Sequence, residues 1–311
     1  MKQKIFIEHT ALFRIKRDFR LHKGLFVMII PVLLFYALFH YAPIYGAIIA
    51  FKDFSPGRGI LGSPWIGFKN FLQFFNSVNF TRVVGNTLAI NMLALLFGFP
   101  APIILALVIN EVANPAFKRI TQTAVYLPYF ISMIVVCALV KDFVSISGIF
   151  NVIRRLMGLD EVNLLLVPKF FRTIYVASNI WQYAGWNSII YLAAISAVDP
   201  QLYEAAIIDG AGRFRRLLHV TIPGIAPAII VLFILRLGEI MNVGFEKIIL
   251  LYNPGIYSTA DVISSFVYRR GLLEMNYSFS AAVGLFNSVI NFIIVVTANT
   301  IARHVGESRL W

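Results

Sequence analysis

The chain has 311 residues, of which 59% are hydrophobic and 14% are charged, and its mean hydropathy is +0.78. Soluble domains average about 45–50% apolar and about 25% charged residues, so this composition argues against a soluble globular enzyme and excludes a disordered chain. The 27 Lys and Arg residues outnumber the 15 Asp and Glu residues, and the net charge of +12 suggests either nucleic acid or an anionic membrane face as a partner.

Six apolar stretches are long enough to cross a bilayer, since a transmembrane helix needs about 20 mainly apolar residues. They are residues 25–50, 83–109, 120–140, 173–198, 224–244 and 281–302. The predicted fold class is therefore all-α, a polytopic six-span domain at 25–303 between a basic tail at 1–24 and a short tail at 304–311. Seven basic residues within the first 23 positions favour a cytoplasmic N-terminus. We expect a multi-pass protein of the plasma membrane with both termini in the cytoplasm.

The spans carry few groups that could perform chemistry. The sequence has no phosphate-binding G-x-x-x-x-G-K-[ST] motif, and its five histidines lack the spacing of metal ligands. Glu239 is essentially the one acidic residue within the spans, which weakens the case for an ion-coupled secondary transporter of small solutes. A membrane enzyme acting on lipid-linked sugars would need a cluster of carboxylates or histidines. Both classes remain as alternatives, whereas a nucleic-acid binder is a poor fit to six spans.

No catalytic, cofactor-binding or metal-binding residue is therefore assigned, and three smaller features receive structural interpretations. Arg236 and Glu239 are i, i+3 neighbours that either pair with each other or take part in gating. Cys137 is expected to be a small buried hydrophobe. A short external helix is expected within Asp261–Arg270, before the last span.

The fourth span is unusually polar and aromatic for a membrane helix. Buried amides and aromatic rings suit an aqueous sugar path, because the amides bond to hydroxyls and the rings stack on sugar faces. Packing between helices through Gly185 and Ser188, with Trp181 as an interfacial anchor, is an equal alternative. The candidate substrate-path residues are Trp181, Gln182, Tyr183, Trp186 and Asn187.

The cytoplasmic loop at about 199–222 is predicted to contain a short capped helix. Asp199 is a suitable N-cap and Pro200 a suitable first helical residue, while Gly210 or Gly212 supplies the left-handed residue that ends the helix. One face of this helix is expected to hold Tyr203, Ala206, Ile207 and Gly210, which follow helical spacing.

The same loop carries the spacing of a known signature. Glu204-Ala205-Ala206 is followed by Gly210 and then by Val220-Thr221-Ile222-Pro223. This resembles the E-A-A-x3-G-x9-I-x-L-P motif of the membrane permeases of binding-protein-dependent ABC importers, with Val220 and Ile222 in place of Ile and Leu. The resemblance implies that the loop docks on an ATPase subunit. The implied coupling residues are Tyr203, Glu204, Ala205, Ala206, Asp209, Gly210 and Pro223.

Further segments resemble the oligosaccharide-uptake, maltose-permease-like branch of that family, among them Phe51-Lys52-Asp53-Phe54, Gly185-Trp186 and the C-terminal Glu307-Ser308-Arg309-Leu310-Trp311. The greatest similarity is to permeases of Gram-positive bacteria that work with lipoprotein sugar-binding subunits. The resemblance implies an ATP-driven importer of oligosaccharides. This chain would form a heterodimer with a second homologous permease and associate with two cytoplasmic ATPase subunits and an extracellular lipid-anchored binding protein. ATP and Mg would bind the ATPase, and this chain itself would hold no cofactor and contact no nucleic acid.

Overall fold

The computed structural model describes residues 21–305, so the tail predicted at 1–24 and the C-terminal motif at 307–311 fall almost entirely outside the described residues. Helices dominate the described part. The α-helices are α1 Lys23–Tyr36, α2 Ala42–Ile44, α3 Gly59–Gly62, α4 Lys69–Phe75, α5 Asn79–Leu93, α6 Pro100–Asn110, α7 Pro115–Tyr126, α8 Met133–Val144, α9 Ile149–Leu156, α10 Pro168–Ser196, α11 Pro200–Ile208, α12 Arg213–Arg216, α13 Ile222–Leu237, α14 Phe245–Leu251, α15 Tyr257–Ala260, α16 Ile263–Tyr268 and α17 Tyr277–Val305.

Shorter turns of 3-10 or π helix join several of these helices into longer rods. The 3-10 turns are Tyr45–Phe51, Leu127–Phe130, Leu164–Leu166 and Pro254–Ile256, and the π turns are Ala37–Tyr41, Ala94–Gly98, Leu217–Thr221 and Arg269–Leu273. Between residues 21 and 305 the only β pairing is an isolated antiparallel bridge of Lys52 with Trp65. The predicted all-α class is confirmed.

Five of these rods are long and apolar enough to cross a membrane: Lys23–Phe51, Asn79–Asn110, Met133–Leu156, Arg213–Leu237 and Tyr277–Ala302. Helix α10 has 29 residues, which at about 1.5 Å per residue is also long enough to span a bilayer. Its polar residues set it apart from the other five. With α10 included, the helices are consistent with six spans.

Two predicted spans have different boundaries in the structure. The stretch 120–140 is not one helix: α7 runs into a turn that ends at Phe130, and Ile131 is extended with ψ 133°. Ser132 then caps α8, its hydroxyl accepting from the Val135 amide at 3.4 Å. Pro128 donates no backbone hydrogen bond and a serine cap favours a new start, so the apolar run is divided. The candidate span here is 133–156.

The fifth span ends earlier than the predicted 224–244. Helix α13 stops at Leu237, and its rod begins upstream at Arg213 within the loop. Glycine is a weak helix former, and a Cβ on Gly238 would lie 2.5 Å from the Val295 side chain of α17. The chain leaves the helix where the fifth and sixth spans approach closely.

Helix α10 lies at the centre of the molecule, where it packs against α5, α6, α7, α8, α13 and α15. By contrast, no residue of α1 is buried, so its apolar side chains are available to lipid or to another subunit. Cys137 on α8 is buried in a cluster with Val136 and Val140, as predicted. The spans that surround α10 therefore form the core that positions its side chains.

A buried ionic cluster joins the external segment before the last span to the start of α5. The Asp261 carboxylate is fully buried and accepts from Arg82 Nη2 at 3.2 Å and from Arg269 Nη2 at 2.7 Å. The Ser265 hydroxyl also donates to it, at 2.9 Å. Helix α16 is the short helix predicted in this segment. The cluster fixes that helix to the second span.

Candidate coupling loop and central cavity

The loop helix α11 has the ends that its sequence predicts. The Asp199 carboxylate accepts from the Gln201 amide at 2.9 Å, and Pro200 occupies the first turn. Gly210 has a φ of +75°, the left-handed conformation that glycine adopts without a Cβ penalty. Ala211 N–H then donates to the Ala206 carbonyl at 2.8 Å, which closes the helix end. Gly210, not Gly212, supplies the left-handed residue.

One side of α11 is held against the fifth span. The Tyr203 hydroxyl donates to Thr221 Oγ1 at 3.1 Å, and Thr221 is buried. Ala206 is half-buried on the same side. A short hydrogen-bonded contact thus connects the loop helix to the segment that leads into the membrane.

The opposite side of α11 is exposed and largely apolar. Ile208 is 86% exposed, and Leu202 and Ile207 are also exposed. Ile207 was expected on the face of Tyr203 and Ala206, but it is more exposed than either of them. Glu204 lies among them, exposed and in none of the ion pairs formed within residues 21–305. Of the remaining predicted coupling residues, Ala205, Asp209, Gly210 and Pro223 are exposed. An exposed and largely apolar surface that also carries the Glu204 carboxylate is suited to contact another protein.

The loop continues into the fifth span as an unbroken helical rod. Residues Arg213–Leu237 form this rod, which includes the π turn at Leu217–Thr221. Pro223 lies at the start of α13, directly after the π turn. One continuous helix thus connects the end of the loop to the fifth span.

A cavity of about 740 Å³ lies between α10, the second span, α13 and α14. This volume falls in the range of about 300–1,000 Å³ typical of small-molecule sites. Helix α10 contributes residues three or four positions apart, as expected for one helical face. They are Tyr175, Val176, Asn179, Ile180, Tyr183, Ala184, Asn187, Ile190 and Tyr191. Tyr183 and Asn187, two of the predicted path residues, therefore face the cavity together.

The other three predicted path residues lie on different faces of α10. Trp181 is 48% exposed on the outside of the molecule. Gln182 is buried, and its Oε1 has no hydrogen-bond partner among the described residues. Trp186 stacks on Tyr129 with ring centroids 4.4 Å apart. The stretch thus combines both interpretations of its sequence, with a cavity face and a packing face on one helix.

The cavity wall contains the charged pair Arg236 and Glu239, which the sequence suggests. Arg236 Nη1 lies 3.5 Å from Glu239 Oε2, and Arg236 also donates to Asn91 Oδ1 at 3.5 Å. The expected i, i+3 pairing is present. Glu239 follows the end of α13 and its side chain is 66% exposed, so water screens the pair.

A second cation in the wall, Lys247, is not suggested by the sequence analysis. Its side chain is 1% exposed, its Nζ donates to Asn179 Oδ1 at 2.7 Å, and it lies 5.6 Å from the Tyr175 ring centroid. Helix α14 is outside the six spans, and burial lowers the pKa of the Lys247 amine to about 8. In the sequence, the one signal for this site is that a lysine directly precedes the apolar run Ile248–Leu251. Only the fold shows that this lysine reaches α10.

Comparison with known proteins places these features in a family. Residues 98–307 match the family described as the binding-protein-dependent transport system inner membrane component. The chain belongs to this family. Its members are the membrane permeases that the loop signature resembles.

Individual relatives agree with the family match. The polygalacturonan/rhamnogalacturonan transport system permease protein YteP of Bacillus subtilis is 42% identical over 93% of this chain and 90% of its own length. Protein LplB of the same organism is 43% identical over 96% of this chain and 92% of its own. A bacterial alginate ABC transporter, crystallised with an alginate pentasaccharide-bound periplasmic protein, has a chain that superposes with a TM-score of 0.87 at 43% identity. That match covers 97% of this chain and 100% of the other.

The protein is thus a multi-pass membrane permease and a transport subunit, not an enzyme. Nothing in the comparisons supports an ion-coupled secondary transporter or a membrane enzyme acting on lipid-linked sugars. The family match covers the loop helix, the fifth span and the cavity face of α10. The site is therefore built within the part of the chain that defines the family.

Proposed function

We propose that this protein is the permease component of an ABC importer that carries oligosaccharides across the plasma membrane through the central cavity. The observation that carries the proposal is the joining of the exposed α11 surface to the fifth span, whose α13 forms part of the cavity wall. A cytoplasmic event at the loop then changes the cavity itself. The names of the relatives, which refer to galacturonan and alginate, support a sugar as the cargo.

The cavity wall offers the groups that a sugar needs. Asn91, Asn187 and Tyr183 present amides and a hydroxyl that bond to sugar hydroxyls, while the rings of Tyr183 and Phe99 present flat faces. Buried amides cost free energy unless they are bonded. A passing sugar replaces the water on these groups without leaving any of them unpaired.

The α11 surface is the proposed contact with an ATPase subunit. Ile207, Ile208 and Leu202 would enter an apolar groove on that subunit, and Glu204 would pair with a basic group there. ATP and Mg would bind the ATPase, and closure of the ATPase would move α11 and the fifth span together. Such coupling requires the two permease states to contact the ATPase differently.

The remaining parts of the assembly follow from the family resemblance. A second homologous permease would complete a heterodimer, with two ATPase subunits on the cytoplasmic side and a lipid-anchored sugar-binding protein outside. Both termini of this chain would be cytoplasmic. In that orientation the loop at 199–222 lies on the ATPase side, and the segment that carries α16 lies on the side of the binding protein.

Substitutions in the loop test the proposal. In a reconstituted transporter, Glu204→Ala and Gly210→Ala should lower the sugar imported per ATP hydrolysed by about tenfold, while the protein inserts and assembles normally. Alanine in the left-handed conformation of Gly210 costs about 1–2 kcal/mol. The substitution should therefore distort the end of α11 and leave the spans intact. The assay measures ATP hydrolysis and uptake in the same proteoliposomes.

Glu111→Ala is the matched control, because Glu111 is an exposed glutamate in the loop after α6, on the same predicted side of the membrane. This control should retain the wild-type ratio of uptake to hydrolysis. Normal coupling in both loop variants, or equal losses in the loop variants and the control, would contradict the assignment of α11 as the ATPase contact.

A further inference from the structure

Some of the charged residues in the cavity wall form ion pairs with each other and others do not. Arg236 and Glu239 pair with each other at 3.5 Å. The two groups that remain are Lys247 and its neighbour Glu246, and neither takes part in an ion pair within residues 21–305. One cation and one carboxylate in the wall are therefore left without an oppositely charged partner among the described residues.

These two groups lie in different surroundings. Glu246 is exposed, so water and salt screen its charge. Lys247 is 1% exposed, and charges act more strongly where water is excluded. Consecutive residues on a helix point about 100° apart, so Glu246 does not neutralise the ammonium group. The buried cation is thus the stronger electrostatic feature of the wall.

The Lys247 ammonium group has more donors than the protein satisfies. It carries three N–H groups, and within the described part of the chain the acceptor is Asn179 Oδ1 at 2.7 Å. The Tyr175 ring lies 5.6 Å from Nζ and adds a weaker cation–π contact. Buried charges in proteins are usually paired. Because Lys247 is among the residues that line the cavity, an anion held in the cavity can accept from the donors that Asn179 leaves free.

We propose that Lys247 binds the carboxylate of an acidic sugar, so that the cavity selects oligosaccharides built from uronic acids. This inference rests on the proposed function, because it takes the cavity as the sugar path. Asn179 holds the ammonium group in place, and the neighbouring Tyr183 and Asn187 contact the ring and hydroxyls of the same sugar residue. A uronic acid carries both kinds of group, whereas an inorganic anion leaves the amides of the wall unused.

The test compares charged and neutral forms of one sugar in proteoliposomes that contain the complete transporter. The probes are a galacturonan trisaccharide and an alginate trisaccharide, each beside its methyl ester, with maltotriose as a neutral sugar. Lys247→Met should lower uptake of the acidic probe by about tenfold or more, since charge-assisted bonds are among the stronger ones. Uptake of the methyl ester should be unchanged. Each variant is compared with the wild type on the same probe. The selectivity of the binding protein is then the same in both measurements and cancels from their ratio.

Three further variants make the result specific. Lys247→Arg keeps the positive charge and should retain most of the acidic-sugar uptake. Lys247→Gln keeps a donor to Asn179 without the charge, so it should lose uptake of the acidic probe while the transporter assembles. It therefore tests the charge even if the methionine variant fails to assemble. Lys141→Met is the control, because Lys141 is an exposed lysine at the end of α8. It should leave uptake of every probe unchanged.

The outcomes separate this inference from the proposed function. Equal losses of acidic and methylated probes would show a structural role for Lys247 and overturn the inference, as would unchanged uptake of both. Uptake of neutral sugars alone by the wild-type transporter would also overturn it, while the importer assignment stands. No uptake of any oligosaccharide by the wild type would overturn the proposed function, and the inference with it.

Discussion

The close contact between α7 and α10 leads to a prediction about Gly185. A Cβ on this residue would lie 2.5 Å from the Val125 carbonyl carbon and nearer still to its oxygen, whereas ordinary contacts begin near 3.4 Å. Gly185→Ala therefore forces the two helix backbones apart by more than 1 Å. Backbone atoms cannot rotate away as a side chain can, so we expect the full overpacking cost of about 1–3 kcal/mol.

The assay is thermal unfolding of the purified permease in detergent, followed by tryptophan fluorescence. Trp186 stacks on Tyr129 in the turn that follows α7, so separation of α7 from α10 changes the surroundings of one of the four tryptophans of the chain. Gly85→Ala is the matched control, because a Cβ there meets nothing within 4 Å in α5. In a helix interior that exchange is neutral or stabilises by about 0.5–1 kcal/mol. A Gly185→Ala protein as stable as the Gly85→Ala protein would refute the packing argument.

Two further predictions concern residues that join separate segments. Asp261→Asn should lower the free energy of unfolding by about 2–3 kcal/mol, measured by thermal unfolding. This is somewhat below the usual cost of breaking a buried ion pair, because Arg82 is partly exposed. An unchanged unfolding midpoint would show that Arg82 and Arg269 are satisfied elsewhere. Tyr203→Phe removes the 3.1 Å bond to Thr221 and should cost about 1 kcal/mol, lowering uptake per ATP without loss of assembly. Coupling equal to wild type would show that this bond does not carry the movement of α11.

Features that depend on neighbouring residues could be predicted from the sequence. The start of α11 follows from Asp199 and Pro200, and its end from Gly210, since caps and left-handed glycines act within one helical turn. The burial of Cys137 and the pairing of Arg236 with Glu239 also follow from local pattern. The two ends of the loop helix therefore follow from the sequence, whereas its partly buried face follows only in part.

Features that depend on how helices pack could be predicted only in part. The polar stretch of α10 was recognised, but its rotation decides that Tyr183 and Asn187 line the cavity and Trp186 does not. That rotation depends on the packing of α10 against α6, α7 and α13, which are distant in the chain. Similarly, the apolar run at 120–140 satisfies a length criterion, and only the cap at Ser132 shows where it is divided.

Residues that were missed are those whose partners are remote in sequence. Lys247 contacts Asn179, 68 positions away, and Asp261 contacts Arg82, 179 positions away. Neither residue belongs to a motif, and each looks like an ordinary charge beside apolar neighbours. Their importance arises from burial, which a single sequence does not reveal for an isolated charge.

The account is tested most directly by uptake of oligosaccharide into proteoliposomes that contain this chain with its partner permease, ATPase subunits and binding protein. We predict that sugar accumulates when ATP is supplied on the ATPase side. Accumulation should stop when ATP is replaced by a non-hydrolysable analogue, whatever ion gradient is imposed. Uptake driven by an ion gradient without ATP would contradict the account, because it would mean that the energy does not enter through α11.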